Sequence, residues 1–210
     1  MKEVILIAYS GHAYVAADIF FQMGKKVIAY CDTFEKEINP YQLRYLGQES
    51  TDKSIEYILK NDYFIAIGNN IIRHRIYEEL TSKTQLPINA IHPSAVISPT
   101  SHVGEGIMIG ANSTINALAK IGDGVILNTA CIIEHECQIG AFSHIAPGAV
   151  LCGDIKIGEN TFIGANSVVK QGITIGKNVV IGAGSVVLKN IPDNVVAVGN
   201  PAKVIKSNTI

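Results

Sequence analysis

The stretch Ile133-Glu134-His135-Glu136-Cys137-Gln138 sets an imidazole beside a carboxylate, and a second histidine, His144, follows in the next few residues. A neutral imidazole whose tautomer is held by a carboxylate is a general base, able to take a proton from an attacking amine or hydroxyl. His144 could then donate a hydrogen bond to a carbonyl oxygen that gains charge during the attack. Two blander readings stand beside this one. Outward histidines are also found as plain surface, and as metal ligands His135, Glu136 and His144 lack a further ligand at a recognisable spacing, so no metal is expected. Cys131 and Cys137 fall at small inward positions that suit packing. With no cysteine outward beside His135, direct attack is favoured over a covalent enzyme intermediate.

A second set of residues lies in the first half. The apolar run Val4-Ile5-Leu6-Ile7-Ala8 reads as a strand, and Tyr9-Ser10-Gly11 leads into a helix from His12 to Met23, stopped by Gly24. Lys26 to Cys31 is a second strand ending at Asp32-Thr33. Thr51 to Lys60 is a helix capped by Thr51 or Asp52, Asp62 to Ile67 a third strand, and Ile71 to Leu80 a further helix. This alternation is a parallel βαβ unit. A helix amino terminus can receive phosphate through its free N–H groups. An acid at the end of the second strand stands where ribose or sugar hydroxyls are read. The loops of Ser10 and Gly11, of Asp32 and of Gly68 and Asn69 therefore converge on one crevice as candidates for a nucleotide-bearing small molecule. The glycine fingerprint of a dinucleotide site is broken, because Ala8 and Tyr9 hold its early positions. A βαβ cap that only covers the next domain is the competing reading.

The element that must position His135 is a repeat. Stepping by six from Ile91 to Val187 meets Ile, Leu or Val every time, without a slip. Glycine often follows the aliphatic, which suits a corner needing positive φ or close backbone approach. Four residues after it stands something small or β-branched, such as Ser113, Ala119 or Cys131. Strand, turn and strand at this period predict a hexapeptide parallel β-helix with three units per coil. Known hexapeptide helices turn left-handed, a hand the spacing itself does not show, so the expected class is mainly β, a left-handed β-helix preceded by a small Rossmann-like α/β domain. A sandwich would show alternation, aromatics and irregular turn spacing.

Composition divides at the same place. All eight tyrosines precede residue 90, whereas four of the 19 glycines do. The expected domains are 1–86, 87–192 and a tail at 193–210, joined at Leu86-Pro87-Ile88. A net charge of −1 leaves no electrostatic footprint for nucleic acid or an anionic membrane surface. No apolar run approaches the roughly 18–20 residues that span a bilayer. Met1-Lys2-Glu3-Val4 has no signal-peptide layout, so a cytoplasmic protein is expected. The four cysteines form no CxxC pair, which argues against structural zinc or a disulfide framework.

With these residues in place, the chain resembles the bacterial nucleotide-sugar N-acetyltransferases of the left-handed β-helix superfamily, relatives of the sialic acid O-acetyltransferases. The resemblance rests on Ser10-Gly11-His12, Ala66-Ile67-Gly68-Asn69-Asn70 with Arg73, Ile133-Glu134-His135-Glu136, Phe142-Ser143-His144 and Gly199-Asn200-Pro201-Ala202-Lys203. It implies a homotrimer with acetyl-CoA between neighbouring β-helices, His135 as general base and Glu136 as its polarising partner. It further implies that His144 contacts the acetyl carbonyl, and that backbone near Gly153, Ala165 and Ala183 lines the CoA arm. By the same resemblance His12 and Thr33 join Ser10, Gly11 and Asp32 in the loops that hold the nucleotide-sugar. The implied acceptors are nucleotide-linked 4-amino-4,6-dideoxy sugars, acetylated on the 4-amino group. O-acetylation of a sialic acid or related sugar is the alternative chemistry, and a non-catalytic binding scaffold the alternative class. Ala8, Tyr9 and Tyr14 depart from the family pattern, the two tyrosines either stacking on a base or filling space.

Overall fold

The computed structural model describes residues 3–209. Its contacts divide the chain at Pro93/Ser94, a few residues beyond the 86/87 joint expected from composition. In the first unit, β1 (Val4–Ile7), β2 (Val27–Cys31), β3 (Arg44–Tyr45) and β4 (Asp62–Ile65) form one parallel sheet in the order β3-β2-β1-β4. Strands of such a sheet are covered on both faces, which explains the unbroken apolar run of β1 and the buried Tyr63-Phe64-Ile65 of β4. Ile5, Ile7, Ala29, Tyr63, Ile65 and Ile76 make one buried cluster. β3 has only two residues and no apolar pattern, so the sequence offered no sign of it.

Three helices connect or cover these strands: α1 (Gly11–Gln22), α2 (Asp52–Lys60) and α3 (Asn70–Thr81). Thr51 caps α2 by accepting the Ser54 N–H, and Asn69 caps α3 by accepting the Ile72 N–H. Each cap satisfies an amide that the helix leaves without an internal partner, a contribution of about 1 kcal/mol. β1 lies between β2 and β4, so the loops leaving all three open on the carboxyl edge of the sheet. That edge is where an α/β sheet binds ligands.

In the second unit, every sixth residue pair from Val96–Ile97 to Val186–Val187 is a two-residue strand. Strands 18 residues apart stack in parallel register: Ile121, Ile139, Ile157 and Ile175 stand one above another. Three such ladders close into a left-handed parallel β-helix. The second residue of each strand points inward and, from Ile109 onward, is buried; the first points outward. One outward row is polar (His102, Lys120, Gln138, Lys156 and Thr174), another is β-branched (Val96, Thr114, Ile132, Val150, Val168 and Val186). Val96 is 63% and Val168 38% exposed, so this second row leaves apolar surface in solvent.

The turns use two separate devices. Positive φ recurs at every sixth residue from Gly106 to Gly184, three positions after the inward aliphatic, where Asn and Gly dominate. The glycines directly after the aliphatics are not in that conformation. A Cβ on Gly140 would come within 2.6 Å of the Glu159 nitrogen in the next coil, so close approach is the reason for glycine there. The stretch at 193–210, expected as a tail, continues the structure: Val195–Val198 pairs with Val180–Ile181, and Lys203–Ser207 folds back antiparallel on it.

Candidate active site

His135 and Glu136 occupy the turn between the strands Ile132–Ile133 and Gln138–Ile139. Glu136 sits at the left-handed turn position, φ 63°, and its Oε2 lies 3.1 Å from His135 Nδ1. An ionised carboxylate only accepts, so Nδ1 carries the hydrogen and Nε2 keeps its lone pair. Both side chains are about half exposed, so the pair orients the ring more than it stabilises the fold. One coil on, the imidazole lies over Gly153: a Cβ there would collide with His135 Cε1 and come within 2.5 Å of Nε2. Gly153 therefore gives the imidazole its seat.

His144 is the outward residue of strand His144–Ile145 and is 8% exposed, edge-on to Phe162 with ring centroids 5.0 Å apart. Its Nε2 lies 3.1 Å from Asn128 Nδ2. Asn128 Oδ1 accepts the Thr129 N–H at 2.8 Å, which sets the amide so that Nδ2 faces the ring. Nδ2 donates, so Nε2 accepts and the hydrogen of a neutral His144 is on Nδ1. The second N–H of the Asn128 amide remains a donor. His135 and His144 do not meet within one chain: no hydrogen bond or ring contact joins them among the described residues. Asn128 precedes and His135 follows strand Ile132–Ile133, so the two bracket the exposed β-branched row. Ala165 and Ala183 stack in successive coils at the same corner as Asn128, whereas Gly153 belongs to the corner of His135.

In the first unit, Ser10, Gly11 and His12 open α1. Ser10 is the N-cap residue, yet its hydroxyl makes no capping bond. With Tyr9, Gly11, Tyr14, Lys36 and Ile38 it lines a groove of about 470 Å³. Tyr9 is fully buried, stacked on Tyr30 at 4.3 Å; of the two uses open to it, it fills space. Asp32 ties the loops together, its Oδ2 accepting the Tyr9 N–H at 2.9 Å and its Oδ1 the Thr33 N–H at 2.7 Å and the Lys36 ammonium at 2.9 Å. Burial disfavours that charge, but the Lys36 ammonium and the two N–H groups outweigh it and hold the carboxyl below its ordinary range. His12 is pushed down to about 4 by burial and by the nearby Arg73 charge, so it is neutral at pH 7. Arg73 is buried and donates to the Ile67 and Gly68 carbonyls and to Asn70 Oδ1, holding the loop after β4. Asn69 has its side-chain oxygen committed to α3, while Gly68 and Thr33 keep their places at the sheet edge.

Residues 3–80 match the family model described as PglD N-terminal domain, and 154–189 the model of the hexapeptide repeat of succinyl-transferase. A perosamine N-acetyltransferase from Caulobacter crescentus, solved with CoA and GDP-perosamine, is 33% identical. It superposes with a TM-score of 0.92 over 99% of this chain and 98% of that one. The chain belongs to the bacterial nucleotide-sugar N-acetyltransferase family. The acetyltransferase domain of PglB from Neisseria gonorrhoeae, also solved with acetyl coenzyme A, is 33% identical with a TM-score of 0.89 over 98% and 100% of the two chains. A UDP-N-acetylbacillosamine N-acetyltransferase of Bacillus subtilis is 34% identical over 113 residues. That match spans 53% of this chain and 52% of that protein, about half the length of each.

For a nucleotide-sugar N-acetyltransferase, two residues absent from the sequence reading matter at these sites: Asn128, which sets the tautomer of His144, and Lys36, which neutralises Asp32. A signal for Asn128 existed. The 18-residue coil stacks Ile126 against His144, which brings residue 128 within reach of that ring. Lys36 lay in a loop without periodicity, where side-chain direction is not readable. Among the described residues there is no group of three His, Cys, Asp or Glu arranged to hold a metal, and no helix long and apolar enough to cross a membrane.

Proposed function

We propose that this chain transfers the acetyl group of acetyl-CoA to the 4-amino group of a nucleotide-linked 4-amino-4,6-dideoxy sugar. The observation that carries this reading is the His135–Glu136 pair, with Nδ1 engaged and Nε2 left as a base over Gly153. The neutral amine attacks the thioester carbonyl. A C–N bond forms, the C–S bond breaks, and CoA leaves through its sulfur. Nε2 of His135 takes the proton the nitrogen loses, and Glu136 steadies the imidazolium that results. Asn128, with His144 behind it, offers an N–H where the carbonyl oxygen would gain charge. The CoA arm would run along the corners of Gly153, Ala165 and Ala183.

The loops of Ser10, Gly11, His12, Asp32, Thr33, Gly68 and Asn69 would hold the nucleotide end, within a nucleotide-sugar-binding domain. Relatives act on both GDP- and UDP-linked sugars by their names, so family membership alone leaves the base open. A homotrimer is the assembly we propose. It is supported by the partly exposed row from Val96 to Val186, flanked by Asn128 on one side and His135 on the other; a neighbouring copy on this row would bring the two corners together.

Thiol release tests the proposal. His135→Ala should lower turnover about 10²- to 10⁴-fold, and full turnover in that variant would exclude the mechanism. A product stable to mild alkali identifies an amide, whereas loss of the acetyl group would mean O-acetylation.

A further inference from the structure

A groove of about 480 Å³ opens at the carboxyl edge of the first unit's sheet, lined by Ala8, Asp32, Thr33, Glu49, Ile67 and Arg75 among others. Its walls are apolar where Ile67 and Ile72 stand, and Ile72 is 44% exposed although it faces a concave site. The acid expected to read a ligand there is already spent. Asp32 has both oxygens engaged by Tyr9, Thr33 and Lys36, and its side chain is only 11% exposed. Glu49, a half-buried residue, and Arg75, an exposed one, also line the groove, and neither side chain has a hydrogen bond or ion pair among the described residues. Both charged groups are therefore available to a ligand seated in the groove, the carboxylate as an acceptor and the guanidinium as a donor.

We propose that this groove takes the base of the nucleotide and selects guanine, with Glu49 as the discriminating residue and Arg75 supporting it. The inference rests on the nucleotide-sugar reading above and extends it. Guanine presents two adjacent donors, N1–H and the 2-amino group, which match the two oxygens of a carboxylate. Its O6 is an acceptor for the guanidinium. Uracil and thymine present one donor flanked by two carbonyl oxygens, which a carboxylate repels. Adenine and cytosine set a ring acceptor beside their amino group, with the same effect. Specificity thus comes as much from rejecting the other bases as from binding guanine. Ile67 and Ile72 supply the apolar surface against which a planar ring packs.

Calorimetric titration of the full-length protein with GDP, IDP, UDP and dTDP tests this without any variant. GDP should bind about 10- to 100-fold more tightly than UDP or dTDP. IDP, which lacks only the 2-amino group, should lose about tenfold relative to GDP. Glu49→Gln should bring GDP toward the affinity of IDP with an unchanged melting temperature. Arg75→Gln should weaken GDP and IDP alike, because both keep O6. Equal or tighter binding of UDP or dTDP overturns the inference, as does IDP binding as well as GDP, or a Glu49→Gln variant that keeps its preference. Selective binding of a pyrimidine nucleotide would remove the guanine assignment alone. No binding of any of the four would remove the nucleotide-sugar reading with it.

Discussion

The imidazole of His135 occupies the space that a side chain at Gly153 would need. Gly153 is not in a left-handed conformation, so alanine meets no backbone obstacle there. The added methyl instead pushes a half-exposed ring aside. Gly153→Ala should therefore leave the melting temperature within a few degrees of the parent while lowering kcat at least about tenfold, because a base displaced by an ångström loses its geometry. Unfolding curves and thiol-release kinetics on one preparation check both halves of the statement.

Asn128 holds His144 with its hydrogen on Nδ1. Nitrogen-15 spectra of the histidine ring should show that tautomer in the parent protein. Asn128→Ala should yield a mixture of tautomers and a kcat lower by about tenfold, near the value of one lost donor. An unchanged ring spectrum in the variant would mean that other neighbours of His144 set its tautomer.

The reading of the repeat came directly from residues: an aliphatic at every sixth position implies stacked coils, and the inward row from Ile97 to Val187 is the result. The His135–Glu136 pair was legible for the same reason, since a known register says which residues reach the outside of a turn. The corner glycines were half legible. Spacing marked them as special but could not separate positive φ from close approach, because that depends on the coil above. The separation of His135, at a corner, from His144, on a strand of another ladder, followed from three strands per coil, yet their nearness in sequence suggested one site. Asp32 was found as an acid at a strand end, but its ties to Tyr9 and Lys36 are long-range contacts that no local pattern announces.

Acid should expose the cost of burying His12. Its folded value of about 4 lies below the ordinary 6.5, so the unfolded chain binds a proton that the native state refuses. Stability is therefore unaffected by this group above pH 6.5 and falls as the pH drops from 6.5 to about 4, by about 3 kcal/mol in all. Asp32, held below its ordinary value, adds a loss only at still lower pH, as its carboxylate takes a proton. Denaturant unfolding at a series of pH values should show the upper limb flattened in His12→Asn.

Ala8 keeps a backbone angle, φ 71°, that suits the glycine whose place it holds. An L-residue there costs roughly 1–2 kcal/mol, partly offset by the greater freedom that glycine has when unfolded. Ala8→Gly should raise stability by about 0.5–1 kcal/mol, seen as a higher urea midpoint at constant slope; a lower midpoint would mean that the methyl group packs better than the backbone suffers.

The 18-residue coil also acts as a ruler. Each turn adds about 4.8 Å along the axis, and Ala165 and Ala183 are successive marks on one edge. Excising one whole coil between His144 and the strand Val195–Val198 would leave the remaining strands in parallel register with their aliphatics inward, yet shorten that edge by a single graduation. The length of that edge is thus set by how many times a short sequence is repeated, a quantity that can change by duplication or loss of coils without redesign of any single turn.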